Sequence, residues 1–335
     1  MQSFLKLLMS AILIFNCSPV MATNFPLKVR NCGSVETFQQ PPKTVVTIGQ
    51  HETELMLSLG LGNKIAGTAV WFGQLPPELE PSGKNLIRIA NNAPGFEAVA
   101  ARNPDLVMAQ YSWHVGPQGE VASRHQFEQL GIKTWISPAD CEGKSVTATS
   151  NGDGARTTPY SLNAIYEEIT QLAQIFDVTL RGEQLKNTLA QRVTHAQKQA
   201  ARLSTKPLKI VYWFSSTRLQ GDPWIAGNMG APGWITRSLG MKNIIDSSEE
   251  WPSVTWEHIV KSQPDIIVIA SMDRRLYPAD DATVKKAFLE RDPVTREMNA
   301  VKQGHIVVVP AMSLNPSLRN VDALEQISQQ VAAFK

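Results

Sequence analysis

One arrangement of residues occurs twice in this 335-residue chain, and it limits what the chain can fold into. Residues 96–109 read FEAVAARNPDLVMA and residues 256–270 read WEHIVKSQPDIIVIA. In each, an aromatic residue precedes a glutamate, Pro-Asp follows seven residues after that glutamate, and an apolar run closes the unit. Phe96, Val99 and Ala100 share one helical face, as do Trp256, Ile259 and Val260. Proline restricts the residue before it and offers no N–H, so each helix stops there. The following run lacks polar alternation and reads as a strand buried on both faces, as in parallel sheets.

The echo extends along both halves. Residues 58–65 (SLGLGNKI) match 238–245 (SLGMKNII), and 129–136 (QLGIKTWI) resemble 301–308 (VKQGHIVV). Each half opens on a β-run, 44–48 (TVVTI) and 208–213 (LKIVYW). Strand, helix, strand, helix, strand, helix, strand therefore occurs twice. This predicts an α/β protein of two Rossmann-like lobes with parallel sheets, residues 23–160 and 207–335. Between them, 161–206 is helical, with Ile165, Ile169, Leu172, Ala173 and Phe176 on one face and an interruption near 177–182. It reads as a long connecting helix.

Residues 1–22 carry Lys6, an apolar stretch over 7–15 and the small-residue site Val20-Met21-Ala22, which together read as a signal peptide. The apolar stretch is far shorter than the roughly 20 residues of a membrane span. Ile14-Phe15-Asn16-Cys17 lacks the small residues that precede a lipoprotein cysteine, so soluble export to the periplasm is expected. Two cysteines then remain, Cys32 and Cys141, both in the first lobe. In an oxidising compartment they are expected to form a disulfide; closing a loop of roughly 110 residues contributes about 4–5 kcal/mol in the chain-entropy account. The formal charge is only +2, without a basic stripe or acidic tail, which argues against nucleic acid as a partner.

Ligands of doubly wound sheets bind beyond the carboxyl ends of the strands. The residues collected there are Gln50, His51, Trp71, Phe72, Tyr111, Trp113, Trp213 and Phe214, with Trp224 nearby. Aromatics at strand ends suit a planar or apolar ligand. Arg156, Arg218, Arg274 and Arg275 would add positive charge for an anionic one. The Ser/Thr/Gly-rich segment 141–159, with the turn cluster Asn151-Gly152-Asp153-Gly154, reads as part of the rim. No G-x-S-x-G, P-loop or H-E-x-x-H motif is present, so enzyme chemistry is not expected. His51, Glu52, Glu54 and His114 leave a metal-ion site as an alternative.

With Val45-Val46-Thr47-Ile48, Thr53-Glu54-Leu55, Leu59-Gly60-Leu61, the paired Glu-to-Pro-Asp motifs, Trp251-Pro252-Ser253-Val254, Pro316-Ser317, Arg319 and Ala323-Leu324-Glu325, the chain resembles the periplasmic solute-binding proteins of ABC importers for ferric siderophores, haem and vitamin B12. The resemblance covers nearly the whole chain after the export segment. It implies a monomer of two lobes with one ligand between them, no resident cofactor and no reaction. The implied ligand is an iron chelate, a ferric siderophore carrying Fe3+, with B12 and haem as alternatives. The implied partner is an ABC permease, whose arginines would meet one glutamate on each lobe, Glu97 and Glu257.

Overall fold

The computed structural model describes residues 22–117, 119–146, 153–201 and 206–334. The expected export segment, all but Ala22, and Asn151-Gly152 lie outside the described residues. The chain enters through an antiparallel hairpin, β1 (Leu27–Asn31) and β2 (Ser34–Phe38). The first lobe is built on β3 (Val45–Ile48), β4 (Ile65–Ala69), β5 (Leu106–Ala109) and β6 (Lys133–Ile136), all parallel, in the order β4-β3-β5-β6. Every residue of β3 and β5 is buried, as their unbroken apolar runs imply.

A short hairpin, β7 (Lys144–Ser145) and β8 (Ala155–Arg156), follows. The second lobe holds β9 (Lys209–Ser215), β10 (Trp224–Ile225), β11 (Lys242–Asn243), β12 (Ile266–Ser271) and β13 (Ile306–Pro310). Its parallel strands run β11-β9-β12-β13, which repeats the first lobe's order position for position. Strand β10 is the addition, antiparallel along the edge of β9.

The Pro-Asp echo has a structural meaning. Asp105 Oδ2 accepts the Lys43 and Thr44 N–H groups at 2.7 and 2.9 Å, and Asp265 Oδ2 accepts the Lys209 N–H at 2.7 Å. In both lobes this aspartate ties the entrance of the first strand to that of the third. Such carboxylate–amide bonds also satisfy strand-end donors that would otherwise need water.

The connector breaks where the sequence placed an interruption. It is two helices, Asn163–Ile175 and Thr179–Ala200, broken where Asp177 adopts φ 54°. They pack closely: a Cβ on Gly182 would lie 2.5 Å from that of Ala173, so only glycine fits. The first helix buries Ile165, Ile169, Leu172 and Ile175 against Leu55, Met56 and Trp135 and belongs to the first lobe's core. The second puts Leu189 in that core and Ala196 and Ala200 in the second lobe's core. At 22 residues it is about 33 Å long, enough to span both.

The described parts of the 141–159 segment, 141–146 and 153–159, join the two lobes. Cys141 is disulfide-bonded to Cys32, which fixes its start to the first hairpin. The β7–β8 hairpin then crosses to the second lobe, where Arg156 N–H donates to Ser248 O (2.9 Å) and Glu250 N–H to Gly154 O (3.3 Å). It is a strap between lobes. No helix among the described residues is long and apolar enough to cross a membrane.

Candidate ligand-binding cleft

A cleft of about 810 Å³ opens between the lobes beyond the carboxyl ends of the strands. Phe72 follows β4, Tyr111 and Trp113 follow β5, Phe214 and Ser215 end β9, Ser271 and Met272 lead out of β12, and Met312 follows β13. Two stacked aromatic pairs form its walls. Tyr111 lies on Trp113 with centroids 4.2 Å apart and planes at 9°; Phe214 lies on Trp251 at 4.1 Å and 25°. Tyr277, backed by Trp224 at 6.0 Å, and the side chains of Leu75, Met272, Leu276 and Met312 add further apolar surface.

Of the residues expected from the sequence, Phe72, Tyr111, Trp113, Phe214 and Arg274 line this cleft. Trp213 does not. Neighbours on a strand face opposite ways, and Trp213 enters the core against Trp256 and Phe288, with its indole N–H on Ser216 Oγ at 2.8 Å. Trp71 is buried under the Arg88 guanidinium, 4.5 Å from its ring centroid. Trp224 stands one layer back. Gln50 is buried and shapes the rim from behind: its Oε1 accepts the Phe72 and Gly73 N–H groups at 2.9 and 3.0 Å. It can stand there because Gly49, at φ 139°, makes a turn so close to Gln110 that no Cβ would fit. Arg218 is exposed outside the lining, and Arg275 pairs with Asp281 at 3.3 Å. The sequence reading missed Trp251, Tyr277, Met272, Met312, Arg192 and Arg319 as lining residues, although Trp251 and Arg319 stood in the motifs that carried the resemblance.

Residues 45–312 match the family model described as Periplasmic binding protein. The chain belongs to the periplasmic binding protein family. An uncharacterized ABC transporter substrate-binding lipoprotein of Bacillus subtilis is 23% identical over 309 residues, covering 92% of this chain and 86% of its own. A vitamin B12-binding protein of Vibrio vulnificus is 24% identical over 310 residues, covering 90% and 94%. The crystal structure of an ABC-type Fe3+-hydroxamate transport system from Saccharomonospora viridis superposes with a TM-score of 0.70 at 24% identity, covering 92% and 99%. The relatives it matches are solute-binding proteins of ABC transporters.

In this binding protein the arginines at the cleft are committed to protein partners. Arg319 grips Glu54 with two hydrogen bonds, 2.9 and 2.5 Å, joining across the lobes two of the motifs that carry the family resemblance. Arg192 pairs with Asp322 (2.7 Å) and Glu325 (2.5 Å). Arg274 donates to Trp71 O, Asn91 O and Asn92 Oδ1. Arg156 is buried beneath the strap against Glu250, beside Lys144, which holds Asp140 at 2.6 Å and Glu250 at 3.4 Å. Burial alone would lower the Lys144 pKa; the two carboxylates outweigh it and raise it. Glu78, Asp153 and Asp273 line the cleft without an ion pair among the described residues.

His51 lies behind the cleft with Glu52 and Glu168, all fully buried, their ligand-type atoms within 4.8 Å of one another. Its Nδ1 accepts the Leu318 N–H at 3.3 Å, so Nε2 carries the proton and donates to Glu168 at 3.0 Å. A metal on Nε2 would need that proton on Nδ1, which already faces an N–H. Burial lowers the His51 pKa, keeping the ring neutral. Burial, then the neighbouring Glu168 charge, pushes the Glu52 carboxyl well above its usual range, and burial raises Glu168 to about 8. At neutral pH this pair therefore keeps a proton. His114 stands elsewhere, 3.4 Å from Glu120, its pKa lowered by burial to about 4.

Glu97 and Glu257 sit in the first turns of helices Phe96–Ala100 and Trp256–Ser262. Both are exposed, and neither joins an ion pair among the described residues.

Proposed function

We propose that this binding protein captures a ferric chelate of neutral or positive overall charge, of the hydroxamate class, and delivers it to an ABC permease. The observation that carries this is the cleft's charge. Arg192 and Arg319 are neutralised by carboxylates and Arg274 is held by three protein oxygens, while Glu78 and Asp273 join no ion pair among the described residues. A polyanionic ferric catecholate, or haem with its propionates, would meet like charge there, which costs specificity and association rate. The stacked aromatic walls offer apolar surface suited to the bulk of a trihydroxamate. The same walls favour a corrinoid as the second reading, because a corrinoid is bulky and lacks strong negative charge.

The protein reaches the periplasm through residues 1–22, an oxidising compartment that suits the Cys32–Cys141 bond. Glu97 and Glu257, one per lobe, are the contacts offered to the permease. Tryptophan-fluorescence titration with neutral and cationic ferric trihydroxamates, a ferric triscatecholate, haem and cyanocobalamin tests the ligand. The trihydroxamates should bind tightest and the triscatecholate at least 100-fold more weakly. Tightest binding of the triscatecholate or haem would overturn the charge argument, and tightest binding of cyanocobalamin would select the corrinoid.

A further inference from the structure

Arg274 leaves the end of β12 in the second lobe and reaches across to the first. Its Nη1 donates to Trp71 O (2.5 Å) and Asn91 O (2.7 Å), and its Nη2 to Asn92 Oδ1 (2.7 Å). Those acceptors sit on a rim that is held stiffly. Val70 N–H bonds Asn92 O at 3.3 Å and Trp71 N–H bonds Asn91 O at 2.9 Å, while Gln50 holds the next two amides. Val70 itself adopts φ +58°, a region that β-branched residues rarely enter. Backbone strain of this kind persists where surrounding contacts over-determine it, and it gathers at clamps and switches. Here it turns the chain so that the Trp71 carbonyl meets Arg274 and the Phe72 side chain lines the cleft.

The segment that carries Arg274 also covers the cleft: Met272, Asp273, Leu276 and Tyr277 line it. Leu276 is 81% exposed, a large apolar side chain placed at the mouth. We propose that Arg274 is a latch, a positioning residue whose forked hydrogen bonds fasten the 272–277 segment to the first lobe. Breaking those bonds is the step that admits and releases ligand. A guanidinium serves three acceptors from one rigid plane, which a lysine ammonium cannot do in the same way. All three partners are protein groups, so Arg274 acts on the ligand through closure. The proposal rests on the cleft being the ligand site and not on which chelate fills it.

Two measurements test it. In a Cys17→Ser background, spin labels at Leu130→Cys and Val294→Cys, both exposed and one on each lobe, report the interlobe distance without ligand. Arg274→Ala and Asn92→Ala should lengthen and broaden that distance, the first more than the second. In stopped-flow release of the bound chelate, Arg274→Ala should raise the off-rate by roughly 10- to 100-fold, with Arg274→Lys in between. The factor should be the same for neutral and anionic chelates. A factor that grows with ligand negative charge would show Arg274 contacting ligand and overturn the latch. So would unchanged distances and off-rates. Should wild-type protein bind no chelate, the cleft reading fails, and the spin-label distances still decide the latch.

Discussion

Glu250→Ala should be among the most destabilising single changes in this protein. The strap's network holds two cations, Lys144 and Arg156, and two anions, Asp140 and Glu250, with every side chain 6% exposed or less. Glu250 is the second lobe's contribution and touches both cations. Among the described residues, its removal leaves the Arg156 side chain buried with one hydrogen bond, to Ala139 O at 2.7 Å. Breaking a buried pair from one side costs about 3–5 kcal/mol, because the remaining charge is uncompensated. For roughly 310 folded residues, an unfolding entropy near 2.1 cal/mol/K per residue turns that into a Tm loss of about 5–8 °C. Urea unfolding and calorimetry measure both. The companion variant Arg156→Met with Glu250→Leu removes both charges, leaves Lys144 on Asp140, and should recover at least half of the loss. A cost for Glu250→Ala below about 1 kcal/mol, or a double variant no more stable than the single, would refute a dry, coupled network.

Stability should also fall as pH rises through about 8. Unfolded glutamate titrates near 4.5, while burial holds Glu168 at about 8 and Glu52 well above its usual value. The folded state keeps a proton that the unfolded state has lost, so this stabilisation is full below pH 4.5 and lost through the folded pKa. Glu52→Gln, which supplies a permanent donor to Glu168, should flatten the dependence between pH 6 and 9; an unchanged slope would count against the shared proton. Trp213→Ala should cost about 3–5 kcal/mol of stability as a core cavity, whereas Phe214→Ala should weaken ligand binding by about 1–3 kcal/mol. Equal effects of the two on binding would mean that the strand's facing has been misread. Glu97→Lys with Glu257→Lys should abolish uptake in cells and leave ligand binding intact, and normal uptake would remove the docking role.

The strands of the two sheets were legible because their positions and burial follow from local patterns: unbroken apolar runs, glycine stops and a proline at each helix end. The cleft was legible only to within a residue or two. Strand ends drew attention to Trp213 and Phe214 together, but which of two neighbours faces the ligand depends on how the sheet sits against its helices. The commitment of the arginines could not be read at all. Arg156 meets an acid 94 positions away, Arg274 a carbonyl 183 away and Arg319 an acid 265 away. Nothing local distinguishes a cation awaiting a ligand from one already engaged. In the connecting segment the break near 177–182 was legible from composition, but not its cause, a left-handed Asp177 and the close Gly182–Ala173 approach that folds the two helices together.

The repeated motif itself divides into residues whose roles the fold explains and one whose role it does not. Val99 and Ile259 are buried, and Phe96 and Trp256 pack against the cores of their lobes. Asp105 and Asp265 bind strand-entrance amides. Thr255 caps the second helix with its own hydroxyl, so Glu257 is not required as a side-chain cap there. The helix dipole favours a carboxylate in a first turn by a few tenths of a kcal/mol to about 1 kcal/mol when exposed. Aspartate or the neighbouring cap would supply the same. What the dipole does not explain is the matched exposure of one long carboxylate at the same place on each lobe. The docking proposed above would account for it, because a two-lobed protein whose halves share one strand order presents those carboxylates in equivalent settings to a partner with two equivalent cationic positions.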